Sequence, residues 1–293
     1  MRNLFGTMRA LAVRWQKEAE HTQESAVRYT EPWIFGLPLN VTGGFLQREQ
    51  DTSYVRRVVN LNLSTIVLGD LSLGGVLEQE QIIPSSGLAL PVVSSSRTLT
   101  AGIDLHYDSR NDPVAPTGGD EFRTTYQIGT KKLDDPSQVP PGVSAQSTVQ
   151  KILFDASVFG EPIRRQVIAI GLHGRQIAGD YIEQGDEYFF GGATTLRGYR
   201  ENEFSGSRIA WTNTEYRFLM ARRTYVFGFF DSGYYVTPAD NVHGVPSDQH
   251  VKLGYGFGMR VETSLGNFGI SFALGQGDSI SQAKVHMNIV NDF

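Results

Sequence analysis

Apolar and polar residues alternate along nearly the whole chain, most plainly near its end. Over residues 251–261, Val251, Leu253, Tyr255, Phe257, Met259 and Val261 share one parity, and Lys252, Gly254, Gly256, Gly258 and Arg260 the other. Phe268, Ile270, Phe272 and Leu274 then alternate with Gly269, Ser271 and Ala273. A last segment sets Val285, Met287, Ile289 and Phe293 against His286, Asn288 and Asp292. A two-residue period marks strands whose two faces meet different surroundings. No long segment shows the 3.6-residue period of a helix.

The pattern predicts fourteen strands: near 8–20, 24–34, 37–49, 53–67, 69–82, 97–109, 120–132, 147–159, 164–176, 207–220 and 223–236, then the three above. Alternation alone fits a soluble sandwich, whose apolar faces pack together, and equally a barrel, whose apolar face meets lipid. Length separates the two. These strands run to about 10–13 residues, whereas globular strands are nearer 5–6. Connections predicted short (35–36, 67–69, 110–119, 160–162, 221–222, 262–267) alternate with long ones (83–96, 133–146, 177–206, 237–249). That order describes an up-and-down antiparallel barrel with turns on one rim and loops on the other. Aromatics near strand ends (Trp15, Tyr29, Trp33, Phe35, Tyr54, Tyr107, Tyr126, Tyr225, Tyr234, Tyr235, Phe293) fit interfacial girdles.

Composition agrees with an all-β membrane barrel. Among 293 residues, 40% are hydrophobic and 19% charged, and no apolar run reaches the 18 or so residues of a membrane helix. The absence of cysteine excludes thiolate metal sites and disulfides. A net charge of −5 without a basic cluster gives no reason to expect nucleic acid. The start, Met1-Arg2-Asn3-Leu4-Phe5-Gly6, lacks a signal-peptide core. An exported barrel needs one, so residues 1–293 are expected to be the N-terminally incomplete part of a longer chain, or to begin at a start assigned too far downstream.

Candidate chemistry concentrates in the longest predicted loop, at Phe190-Gly191-Gly192-Ala193-Thr194-Thr195-Leu196-Arg197-Gly198-Tyr199-Arg200. Its glycines permit positive φ and close backbone approach. A buried Arg197 would need carboxylates, because an unpaired interior charge is very costly. The next strand offers Glu215, on the parity of Asn213 and Arg217; the one after offers Asp231 in Phe229-Phe230-Asp231-Ser232-Gly233. The six histidines have no metal-ligand spacing, and no nucleophile or phosphate-loop motif is present. Asp108 and Asp112 flank a turn and read as side chains that cap its backbone. Catalysis, metals and cofactors are therefore not expected.

Together these segments resemble the BamA/TamA-type outer-membrane assembly factors (the bacterial surface antigen superfamily) and their two-partner secretion relatives. The matches, in order, are Tyr29-Thr30-Glu31-Pro32-Trp33-Ile34-Phe35-Gly36, Tyr107 to Pro113 with Pro116-Thr117-Gly118-Gly119, Gly191-Gly192 through Arg197-Gly198-Tyr199, Asn213-Thr214-Glu215-Tyr216-Arg217, Phe230-Asp231-Ser232-Gly233, and the terminal Phe293. The resemblance implies that Gly191, Gly192, Arg197, Gly198 and Tyr199 form the sixth-loop motif, with Glu215 and Asp231 as lumenal partners of the arginine. Val285, Met287, Ile289 and Phe293 would form the C-terminal targeting signal.

It further implies a sixteen-stranded barrel of which fourteen strands, the third to the sixteenth, are visible here. Asn3-Leu4-Phe5-Gly6-Thr7 would be the turn entering the third strand, with the first two strands and the periplasmic POTRA domains absent. Val290 stands where the family's last strand usually has glycine. The expected role is protein insertion or translocation in a Gram-negative-type outer membrane. Its partners would be lipid, unfolded client β-barrel proteins and, through upstream domains, periplasmic chaperones and lipoproteins. The alternative is a passive porin-like barrel or the membrane anchor of a fused passenger.

Overall fold

The computed structural model describes residues 8–85, 93–135, 139, 142–239, 246–264 and 266–290. Phe293 and the expected turn at Asn3–Thr7 lie outside the described residues, as does the side chain of Val290. Among the described residues, fourteen strands form one antiparallel sheet. They are β1 (Ala10–Ala19), β2 (Thr22–Glu31), β3 (Leu39–Gln50), β4 (Tyr54–Leu68), β5 (Leu71–Pro84), β6 (Ser96–Asp108), β7 (Gly119–Leu133), β8 (Gln146–Ile163), β9 (Gln166–Gly179), β12 (Arg208–Ala221), β13 (Thr224–Thr237), β14 (Asp248–Thr263), β15 (Gly266–Gly275) and β16 (Lys284–Val290). Two further strands, β10 (Tyr188–Phe190) and β11 (Phe204–Gly206), pair with each other inside the β9–β12 connection. At three residues each they are too short to leave a period in the sequence.

Strand parity sorts the side chains as the pattern predicts. Val59, Leu61 and Leu63 of β4, Ile168, Ile170 and Leu172 of β9, and Val251, Tyr255, Phe257 and Met259 of β14 are exposed on the outer face. The inner face buries polar groups, among them Thr98, Thr100, Asp104, Gln127, Lys131 and Lys151. An apolar exterior around a polar interior is stable when lipid, not water, lies outside. The long strands are a consequence, because in hydrocarbon every backbone group must be paired within the ladder.

The alternation of short turns and long loops is strict only from β7 onward. On the loop rim, the β1–β2 and β3–β4 connections shrink to 20–21 and 51–53, the latter through Asp51 at φ 51°. On the turn rim, the 109–118 connection is long because it tucks inward, burying Val114 and Ala115. Asp112 Oδ1 accepts the N–H groups of Val114 (2.9 Å) and Ala115 (3.2 Å), the turn-capping role expected of it. The aromatic girdle needs correction as well. Trp15, Tyr29, Trp33, Phe35, Tyr107, Tyr126 and Tyr234 face outward, but Tyr54 and Tyr225 are only 1% exposed. Both fall on inward parity. Tyr54 packs with Ile82 and Val93, and Tyr225 lies under the Arg217 guanidinium, 5.1 Å from the ring centroid. Tyr235 also turns inward, against the cluster beneath the long loop.

Candidate functional site

The β9–β12 connection, residues 180–207, enters the lumen. An apolar cluster seats it: Phe190, Leu196 and Tyr199 from the loop pack on Ile209 and Trp211 of β12, with Tyr188, Phe204 and Tyr235 around them. The sheet register prepares the landing surface. Asn213, Asp231, Gly254 and Gly275 form one row across β12 to β15, and the two glycines leave it flat. A Cβ on Gly254 would lie 1.9 Å from the Arg197 carbonyl oxygen, and one on Gly275 would lie 2.9 Å from the Tyr199 ring. The loop side of the contact needs the same economy. Gly198, at φ +95°, passes so close to β15 that a Cβ there would meet the Leu274 carbonyl oxygen at 2.5 Å.

This packing aims Arg197 at the acids singled out by parity. Its Nε and Nη2 donate to the two oxygens of Asp231, each at 2.8 Å, and its backbone N–H donates to Asp231 Oδ2 at 3.1 Å. Nη1 donates to Glu215 Oε1 at 2.5 Å. The guanidinium carbon sits 3.8 Å above the centroid of Phe229. Glu215 Oε2 in turn accepts from Arg217 Nε at 2.8 Å. Asp231 is 0% exposed and Arg197 6%. Burial works against the guanidinium, yet its hydrogen bonds and charge pairing with Asp231 and Glu215 raise its pKa above the ordinary arginine value. Fork-to-fork pairing at this depth fixes orientation as well as charge.

Around this contact the other motif residues find partners. Asn213 donates to the Thr195 carbonyl at 2.7 Å, from the same face of β12 as Glu215. Tyr199 Oη donates to the Leu253 carbonyl (2.9 Å) and accepts from the Gln276 N–H (3.0 Å). Gly191 N–H donates to Thr195 Oγ1 at 2.7 Å, and Gly192 N–H to the Leu196 carbonyl at 3.0 Å, so both glycines shape the loop tip. In β16, Val285, Met287 and Ile289 are exposed on the outer face. His286 points inward, its Nε2 accepting the Gly198 N–H at 3.2 Å.

Other anchors escaped sequence reading because their partners are far apart in the chain. Lys131 of β7, 1% exposed, donates to Glu183 Oε2 (3.0 Å) and Asp186 Oδ2 (2.5 Å) at the loop's start. Burial, the largest influence on Asp186, raises its pKa above the ordinary carboxylate value. Arg56 of β4 donates to the Glu187 carbonyl at 2.9 Å, and Arg48 of β3 stacks on Phe189 with its guanidinium carbon 4.4 Å from the ring centroid. Asn202 donates to Glu18 of β1 at 2.6 Å. Glu201 accepts the Ala193 N–H at 2.6 Å and Gln16 Nε2 of β1 at 3.5 Å, and lies 4.0 Å from His286 Nδ1 of β16. Among the described residues no ladder joins β1 to β16, and the loop bridges them.

One trio of metal-ligating types, His106, Asp108 and Glu121, also gathers near the turn rim. Arg110 occupies it, donating to Asp108 and lying 2.8 Å from Glu121, so both acids already share one guanidinium.

Comparisons with known proteins give this architecture its family. No curated protein sequence matches the chain. Among solved structures it is similar to BamA from Haemophilus ducreyi, crystallised lacking POTRA domains 1–3, at 12% identity and TM-score 0.63, covering 98% of this chain and 64% of that one. It is similar to CdiB from Escherichia coli at 12% identity and TM-score 0.64, with coverages of 98% and 56%. It therefore spans less than two thirds of either relative's length, and identities this low speak to fold alone. The Omp85 superfamily domain matches residues 3–293, and the chain belongs to that superfamily of outer-membrane β-barrels.

Proposed function

We propose that this barrel serves protein assembly or translocation in the outer membrane without catalysis, and that the 180–207 loop is its internal brace. The observation that carries the reading is the Arg197 clamp. A loop tied to β12 and β13 through Asp231 and Glu215, to β7 through Lys131, and to both β1 and β16 fixes the lumen and spans the sheet's two edges. A passive pore has no need of an interior loop fastened at so many points. An assembly factor does, because the ends of the sheet are where an unfolded strand could be templated, and a braced interior holds them in place. The partners on this reading are outer-membrane lipid, unfolded β-barrel clients and, through upstream domains of the POTRA type, periplasmic chaperones and lipoproteins. Arg197, Glu215 and Asp231 have a positioning role, and Val285, Met287 and Ile289, with Phe293, serve recognition of the C-terminus.

The test reconstitutes the chain in phospholipid vesicles, adds a urea-unfolded outer-membrane protein, and follows its folding by gel mobility. Planar-bilayer recordings run in parallel. Faster client folding with only brief, small conductance supports the proposal. A steady large conductance with no effect on client folding would replace it with the passive-barrel reading.

A further inference from the structure

On the outer face, every other position of each strand offers a side chain to lipid, and at residue 228 of β13 that side chain is missing. Nothing lies within 4 Å of where a Cβ of Gly228 would be. The register places Tyr216 of β12 on one side of the gap and Phe257 of β14 on the other. With Phe218, Met259 and Phe272 they wall a groove of about 450 Å³, a size within the roughly 300–1,000 Å³ of small-molecule pockets. Its walls are apolar, and the Tyr216 hydroxyl is hydrogen-bonded to Gln166. Such a slot suits a hydrocarbon chain.

Depth and charge identify the rest of the ligand. Gly228 is four residues from Thr224, where β13 leaves the turn rim, or about 13 Å along the strand. Half of a bilayer core is about 15 Å, and short turns mark the periplasmic side. The groove therefore lies in the periplasmic leaflet. Directly below it two turns meet: Arg165 Nε and Nη2 donate to the carbonyls of Leu219 (3.0 Å) and Met220 (2.6 Å), bringing Arg164-Arg165 beside Arg222-Arg223. Arg223 is engaged by Asp112 (2.8 Å) and Glu262 (3.6 Å), and Glu161 accepts the Arg165 backbone N–H. Arg164 is exposed, and the Arg222 side chain is 82% exposed with Asp112 3.8 Å away.

We propose that β12–β15 hold an anionic phospholipid of the periplasmic leaflet, an acyl chain lying over Gly228 and its phosphate at Arg164 and Arg222. Guanidinium groups bind phosphate well at such a rim. The fold supplies its own control. Gly75 of β5 also has open space at its Cβ position and stands four residues above the turn rim, but its turn is Gly69-Asp70, with an acid where the phosphate would be.

The test takes the full chain purified in detergent, adds limiting phosphatidylglycerol, and counts retained lipid by native mass spectrometry. Gly228→Leu should lower occupancy about tenfold or more, equivalent to about 1.4 kcal/mol, while Gly75→Leu retains wild-type occupancy. The Arg164→Gln/Arg222→Gln double variant, altered only at the exposed rim, should lose the preference for phosphatidylglycerol over diacylglycerol of the same chains. Wild-type occupancy in Gly228→Leu, an equal loss in Gly75→Leu, or an unchanged headgroup preference in the double variant would each overturn the proposal.

Discussion

Arg197 grips Asp231 through three donors at once, Nε and Nη2 at 2.8 Å and its own backbone N–H at 3.1 Å. The carboxylate beneath is fully buried. Side-chain charge and loop backbone are thus fixed by one acid, so the position of the loop tip and the pairing of the charge cannot vary separately.

Replacing Arg197 with Ala should therefore do more than delete a contact. It strands Asp231 without its counter-charge, and breaking a buried pair from one side costs about 3–5 kcal/mol. Residues 180–207 should become open to added protease in detergent-purified barrels that still show heat-shifted gel mobility. Arg197→Lys keeps charge but not the fork, and should fall between the two. Protease protection of Arg197→Ala equal to wild type would refute the clamp.

Gly254→Ala offers the same displacement with no change of charge. The added Cβ would lie 1.9 Å from the Arg197 carbonyl oxygen, a backbone atom that cannot rotate away. The loop tip should lift from β14, and protease sensitivity should approach that of Arg197→Ala. Since both substitutions break one contact, the double variant should be little worse than either single. Additive effects would show that the row of glycines and the clamp act independently.

The pH response of the loop should depend on Glu201. Burial raises its carboxyl above the ordinary value, with the neighbouring Glu18 adding to the rise and its bonds to Ala193 and Gln16 opposing it. A carboxyl raised in the folded loop penalises the ionised state, so the penalty is absent below the unfolded pKa, grows as pH rises, and is complete above the folded pKa. Acidification from pH 7 should tighten the tip. Glu201→Gln should be at least as well protected at pH 7, and the wild-type minus variant difference should shrink as pH falls. Hydrogen exchange of residues 190–203 reads this, and a difference growing at low pH would reject it.

How much of this was legible in sequence follows from how local each signal is. Strand parity is local, so Val251 to Val261 announced their faces unaided, and Glu215 and Asp231 stood on the inward parity of consecutive strands. Arg197 was legible as a charge among glycines and apolar residues. Gly254 was not, since a glycine that receives a loop looks like any small lumenal residue. Tyr54 and Tyr225 misled because a strand-end aromatic carries no mark of which rim face it takes. Lys131 and Asp186 are separated by 55 residues, and no period or motif joins them.

That distant pair gives the sharpest separation of the two ends of the loop. Lys131 is 1% exposed, held between Glu183 and Asp186, whereas Arg197 holds the tip on β12 and β13. Lys131→Met preserves much of the apolar stem and removes the charge, leaving two acids facing each other in the lumen at a cost of about 3–5 kcal/mol. Segment-resolved hydrogen exchange should show residues 180–187 opening while 195–199 stay protected, because Phe190, Leu196 and Trp211 lock the hairpin between the two anchors. Arg197→Ala should give the reverse order. If Lys131→Met released both segments together, the loop would be one cooperative plug and not a strap with two fastenings.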